Sequence, residues 1–280
     1  MRTYFLVVIL FASTSCSPVF GGGVRIVLDE PTIPLGTGVT GHLEIWSSPD
    51  QPITLEKGVS LMRGGVSWLI EAPSGEVLEV SDLRTGLSIN AITEPIELTG
   101  EEKLYVPLCL FCFNSALIFT EQGSYKVSVH LVSDQKTSLT NEVTVVVLEA
   151  TSEYPKWAKE VITPFLLVEA FYFPLAREFF DNIDLEENGP YEKFVNRFYV
   201  YNEGFNYVGG FFASPASASF SDENIREILR EHILAGLEIS AETKFGQNMW
   251  GFVAEKYNKQ FYEYEKIEFE NRDFGNWAVR

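Results

Sequence analysis

Between residues 24 and 150, apolar and polar positions alternate with the period of two expected of strands that have one apolar and one polar face. The clearest case sets Tyr125, Val127, Val129 and Leu131 against Lys126, Ser128 and His130. Val39, Gly41, Leu43 and Ile45 alternate in the same way with Thr40, His42, Glu44 and Trp46. Residues 24–28 predict an earlier strand, stopped by Pro31, Pro34 and Gly36, and residues 53–55 a short one. Residues 66–70 and 77–80 flank Ala72-Pro73-Ser74-Gly75, a composition that favours a tight turn and therefore a hairpin. Residues 104–113 read as a long apolar strand. Residues 143–148 form a nearly unbroken β-branched run, which implies burial on both faces or a central position in the sheet. About seven or eight strands with no helical period among them predict an antiparallel β-sandwich.

From Thr151 the alternation stops and helical spacing replaces it. Residues 154–182 are apolar almost all round and are broken by Pro155, Pro164 and Pro174, which predicts short helices with Pro in their first turns. Phe194, Phe198 and Tyr201 step by three or four within a further helix over 191–201. Ser221 is the predicted N-cap of a helix whose Ile225, Ile228, Leu229, Ile233, Gly236 and Leu237 share one face, with Arg226, Glu227, Arg230 and Glu231 on the other. A last helix, over 247–266, presents Trp250, Val253, Tyr257, Phe261 and Tyr264 on one side. The expected organisation is two domains, a β-sandwich over 24–150 and an aromatic-rich all-α domain over 151–280. No repeat of solenoid period is present.

Arg2, the apolar run 4–12 and the small residues Ser13, Thr14 and Ser15 before Cys16 have the three-part form of an export signal over residues 1–15. The apolar run is shorter than the ~20 residues that span a bilayer. Cys16 at the cleavage point resembles a bacterial lipobox, although Ser13 stands where Leu is usual. The resemblance implies a lipid carried on Cys16, with residues 16–23, rich in Gly and Ser, as a flexible leash. The expected location is the cell envelope, reached through that anchor; Ser13 and Ser15 equally suit cleavage before Cys16 by an ordinary signal peptidase, which would leave the chain periplasmic or secreted.

Glu121-x-Gly123-x-Tyr125, immediately ahead of the clearest strand, resembles the tyrosine corner of immunoglobulin-like or macroglobulin-like sandwiches. There a turn brings Tyr to a strand start, and its hydroxyl bonds back to the upstream backbone. The resemblance implies that Gly123 and Tyr125 form a structural corner. Where antibody domains place a Cys two residues after the Tyr, this chain has Val127, so the inter-sheet disulfide is not expected. Trp46 or Trp68 would be the core Trp.

Composition adds exclusions. Hydrophobic residues make up 46% and charged residues 21% of the 280, enough apolar mass for a packed core. The net charge of −18 is spread over both halves, so the field around the protein repels phosphate backbones and disfavours nucleic acid as a partner. His-Glu-x-x-His, Gly-x-Ser-x-Gly and Walker patterns do not occur, and no catalytic, metal or cofactor residue is assigned. His42 and His130 fall on polar strand positions and His232 on an amphipathic helix, the places of solvated or edge-of-core imidazoles. Cys109 and Cys112 lie three apart on one strand and so point to opposite faces, which suits small core residues better than a redox pair. Asp184-x-Glu186-x-Asn188-Gly189 starts like a calcium loop, but position twelve is Val195. Aromatic residues crowd the second half, and the Gly-rich stretch 202–212 is the hardest to bury. This makes Tyr201, Phe205, Tyr207, Phe211 and Phe212 the expected contact surface. The expected role is non-catalytic binding or scaffolding toward an envelope protein or glycan. The alternative is a hydrolytic enzyme with an acidic site between the two domains.

Overall fold

Strand β8 (Lys103–Leu110) shows how the molecule is layered. Its even positions, Leu104, Val106, Leu108 and Leu110, enter one apolar core, while Tyr105, Cys109 and the following Phe111 belong to a second. Successive side chains on a strand point to opposite faces, so this strand lies between two cores. The computed structural model describes residues 22–50, 52–55, 66–80, 96–100, 102–113, 116–132, 138–149, 187, 189–204, 223–269 and 276–277. In chain order the other strands are β1 (Gly23–Leu28), β2 (Thr32–Pro34), β3 (Val39–Trp46), β4 (Ile53–Leu55), β5 (Val66–Glu71), β6 (Val77–Val80) and β7 (Ile96–Leu98) before β8. After it come β9 (Cys112–Phe113), β10 (Ala116–Leu117), β11 (Gly123–Val132), β12 (Ser138–Leu148) and β13 (Asn276–Trp277). The helices are α1 (Pro190–Phe198), α2 (Glu223–Ile239) and α3 (Lys244–Gln260).

One sheet runs β1-β3-β8-β13 and the other β2-β12-β11-β5-β6, with the small pairs β4-β7 and β9-β10 beside them. The predicted hairpin is β5-β6, turning through Ala72–Gly75, with Gly75 at φ +87. Val127, Val129 and Leu131 of β11 meet Trp68 and Ile70 of β5, Val145 and Val147 of β12, and Ile26, Leu43 and Val106 of the facing sheet. Trp68 is fully buried in this core, whereas Trp46 is partly exposed. At the edge of this core the Ile26 N–H donates to Asn141 Oδ1 of β12 (2.9 Å), joining the two sheets.

The helices lie on the other face of the β1-β3-β8 sheet. α1 starts after Gly189 with Pro190, whose fixed φ suits a first turn; Glu192 near its start and Arg197 near its end complement the helix dipole. A π-helical turn, Tyr199–Gly204, extends it. A 3-10 turn, Ser240–Glu242, joins α2 to α3. The two helices approach closely where Gly236 meets the Trp250 ring, since a Cβ there would lie 2.2 Å from the indole.

This arrangement overturns the expected immunoglobulin-like sandwich followed by a distinct all-α domain. Tyr191, Phe194, Phe198, Tyr201, Leu229, Trp250 and Val253 share their core with Cys109 and Phe111 of the sheet. The last strand, β13, returns from the helical half to pair in parallel with Leu104 and Tyr105 of β8. A second parallel pair joins β2 to β12, so both main sheets are mixed rather than antiparallel. The physical reason is area: a few short helices cannot bury their aromatic faces against one another alone, and the sheet offers an apolar surface. Among the described residues no helix is long and apolar enough to cross a membrane. The helices expected over 154–182 and the N-cap Ser221 lie outside the described residues.

Candidate functional site

The corner at the start of β11 is a backbone lock. The Glu121 N–H donates to the Tyr125 hydroxyl at 2.8 Å, and Tyr125 is buried, with the Phe119 ring edge-on at 5.1 Å. Gly123 holds φ +137, and a Cβ on it would come within 2.8 Å of the Pro73 side chain, so the position suits Gly on both counts. Glu121 in turn accepts from the Ser74 N–H (3.2 Å) and Ser74 hydroxyl (2.9 Å), tying the β5-β6 turn to the corner.

The polar groups with the most chemistry gather elsewhere, on the helix side of β3. Thr40, His42 and Glu44 follow the strand period onto one face, opposite Leu43 and Ile45, and all three are buried. The expectation of a solvated or edge-of-core His42 is therefore corrected: the imidazole is 0% exposed. It lies under Phe245 of α3, with ring centroids 4.1 Å apart, and near Tyr105 of β8 at 5.9 Å. Its Nε2 is 3.6 Å from Glu44 Oε1, and Arg25 of β1 donates to the other Glu44 oxygen at 2.5 Å. The turn after β1 supplies two further carboxylates. Asp29 accepts from the Thr40 hydroxyl (2.7 Å) and the Tyr201 hydroxyl (3.3 Å), and Glu30 accepts from Arg197 of α1 (2.9 Å). Tyr191 adds a bond to the Leu35 carbonyl at 3.3 Å.

Burial sets the electrostatics of this seam. It disfavours the charged imidazole and pushes the His42 pKa below its usual value, opposed by the Glu44 carboxylate. Burial also pushes the Tyr201 phenol up, and the adjacent Asp29 charge adds to the effect. The Arg197 hydrogen bond holds Glu30 below the usual carboxylate range. Asp29, Glu30 and Glu44 are each engaged by donors from neighbouring elements, which makes the seam a fastening between sheet and helices. A crevice beside it, between Glu30, Thr37, Thr40, Phe194 and Arg197, holds about 10 Å³, room for a single water molecule.

Of the expected contact residues, Tyr201 is 1% exposed and belongs to the seam, so it presents no surface to a partner. Phe205, Tyr207, Phe211 and Phe212 lie outside the described residues, as does Cys16. Cys109 is buried on the helix side. The strand breaks after Leu110, so Cys112 starts a separate strand pairing with Leu117, and its side chain lies outside the description. His130 is half-buried on the outer face of β11, and the Tyr199 hydroxyl is 3.1 Å from His232 Nδ1. Among the described residues no three His, Cys, Asp or Glu side chains gather as metal ligands would. Sequence reasoning passed over Arg25, Asp29, Glu30 and Arg197. The available signal was an unbroken polar face on β3, with His42 and Glu44 two apart, directly after the acidic Asp29-Glu30 turn.

No protein-family profile matches the chain, and no curated protein sequence matches it either. Among solved structures, a sporulation control protein from Bacillus subtilis aligns at 12% identity and a TM-score of 0.30, covering 54% of this chain and 55% of that one. An alkylpurine DNA glycosylase from Pseudomonas fluorescens aligns at 10% identity and a TM-score of 0.30, covering 46% and 30%. A β-glucosidase from Listeria innocua aligns at 14% identity and a TM-score of 0.27, covering 46% and 16%. This chain spans less than two thirds of each, and at these scores none carries an argument about fold or function.

Proposed function

We propose that the chain is an exported envelope protein, held at a membrane by a lipid on Cys16, with a scaffolding or binding role rather than a catalytic one. In this reading its partner is an envelope protein or glycan. The observation that carries the proposal is the N-terminal pattern of Arg2, the apolar run 4–12, small residues and Cys16. The seam supports it through Asp29 and Glu30, which accept from Tyr201 and Arg197 and so fasten the helical layer to the sheet. In a bacterial host, metabolic labelling with a palmitate analogue should mark the wild type and send it to the membrane fraction. Cys16→Ala should lose both label and membrane association. Continued labelling of that variant would sink the anchor.

A further inference from the structure

Among the described residues the buried imidazole and carboxylate side chains, His42 and Glu44, both belong to β3. None belongs to β5, β11 or β12, where the polar atoms of the inter-sheet core are the neutral Trp68 indole and Tyr125 hydroxyl, with Asn141 at its edge. Thr40, His42 and Glu44 instead lie under the helices. There, carboxylates accept two of the bonds that reach down from the helical layer, Tyr201 to Asp29 and Arg197 to Glu30. Both faces of the β1-β3-β8 sheet carry an apolar core, but the helix-side face also encloses an imidazole and carboxylates. An apolar contact is insensitive to pH, whereas one closed over an imidazole and carboxylates is not.

We propose that acid undocks the helical layer from the sheet while the two sheets remain joined. Among the described residues, the charged and titratable groups around His42 include Glu44 on its own strand, Arg25 and Asp29 from β1 and its turn, and Tyr105 from β8. From α3 the facing group is the uncharged ring of Phe245. A proton taken up by His42 places a charge beneath that ring, and the charge gains hydration if α3 lifts and water enters. Glu44 at 3.6 Å offsets part of the cost, and Arg25 already draws on the same carboxylate.

The sign follows from the shifted groups. Docked His42 binds its proton less readily than a solvated imidazole, so docking is complete above the ordinary His value of 6.5 and weakens as pH falls below it. Docked Glu30 is shifted below its ordinary 4.5, so the Arg197 contact is fully present above that value and is lost as pH falls further. Acid acts in the same direction on both, His42 first. This device is independent of the anchor at Cys16.

Hydrogen exchange read peptide by peptide on the mature chain, corrected for intrinsic rates, tests the proposal. Between about pH 7.5 and about pH 5, peptides of α1, α2 and α3 should lose protection, by up to about tenfold per pH unit for one proton taken up, while β5, β11 and β12 keep theirs. His42→Gln should remove this step, and so should His42→Phe, which keeps a ring against Phe245 if the glutamine variant packs poorly. His232→Gln should leave the step in place, although that residue lies within the helical layer. Three results would overturn the proposal: both layers losing protection together, no loss in the wild type, or a step that follows His232 rather than His42. The wild-type comparison of layers decides the matter even if neither His42 variant folds.

Discussion

At the scale of single residues, the Tyr125 hydroxyl is the clearest polar contact with one defined task. It accepts from the Glu121 N–H at the mouth of the core, so Tyr125→Phe keeps the packing against Phe119 and removes that acceptor. The expected cost is about 1–2 kcal/mol, read as a lower urea midpoint with an unchanged slope. This corner was legible because its residue types are specific: a Gly where φ is positive and a Tyr two positions on. His42 was not legible in the same way. Alternation shows that a side chain shares a face with Thr40 and Glu44, but not whether water or a helix covers that face. A polar strand face can be buried when acceptors and donors are supplied from elsewhere, here by Arg25, Asp29 and Tyr201.

At the scale of elements, α2 and α3 depend on one close approach. Gly236 sits against the fully buried Trp250, where a Cβ would come within 2.2 Å of the indole, so Gly236→Ala should cost about 1–3 kcal/mol by overpacking. Helix propensity alone predicts the opposite sign, since Ala favours helix over Gly by about 1 kcal/mol. Thermal unfolding of the variant separates the two: a raised Tm would show that the helices part easily. Both helices were foreseeable from the spacing of Leu229 and Ile233 and of Trp250, Val253 and Tyr257, though their limits moved by a few residues. The partner of their apolar faces was not foreseeable, because periodicity identifies a face without identifying what it meets.

At the scale of the whole molecule, the chain's ends and layers interlock. β13 reaches back from beyond the helices to pair with Leu104 and Tyr105, so ending the chain before Asn276 removes that pairing and leaves this stretch of β8 without it. The expected effect is a loss of about 1–2 kcal/mol, together with faster hydrogen exchange at residues 104–105 and little change in β11 or β12. An equal loss of protection across both sheets would show that β13 braces the whole sandwich. The return of the chain to a distant strand is one reason the helical half is not a distinct all-α domain. A change in period marks a change of secondary structure, and a domain requires in addition that the core be separate.

The sequence by itself indicated strands β1, β3 to β6, β8, β11 and β12 but not β2, β7 or β10, together with the hairpin at Ala72–Gly75, the corner at Tyr125 and the apolar faces of the last two helices. All of these depend on neighbours within a few positions, where backbone sterics and side-chain period act directly. Only the tertiary structure decided that β3 and β8 lie between two cores, that His42 and Glu44 are buried, and that Asp29 and Glu30 fasten the helices through Tyr201 and Arg197. Those outcomes depend on which faces meet across more than 100 residues of chain, and no local pattern carries that information.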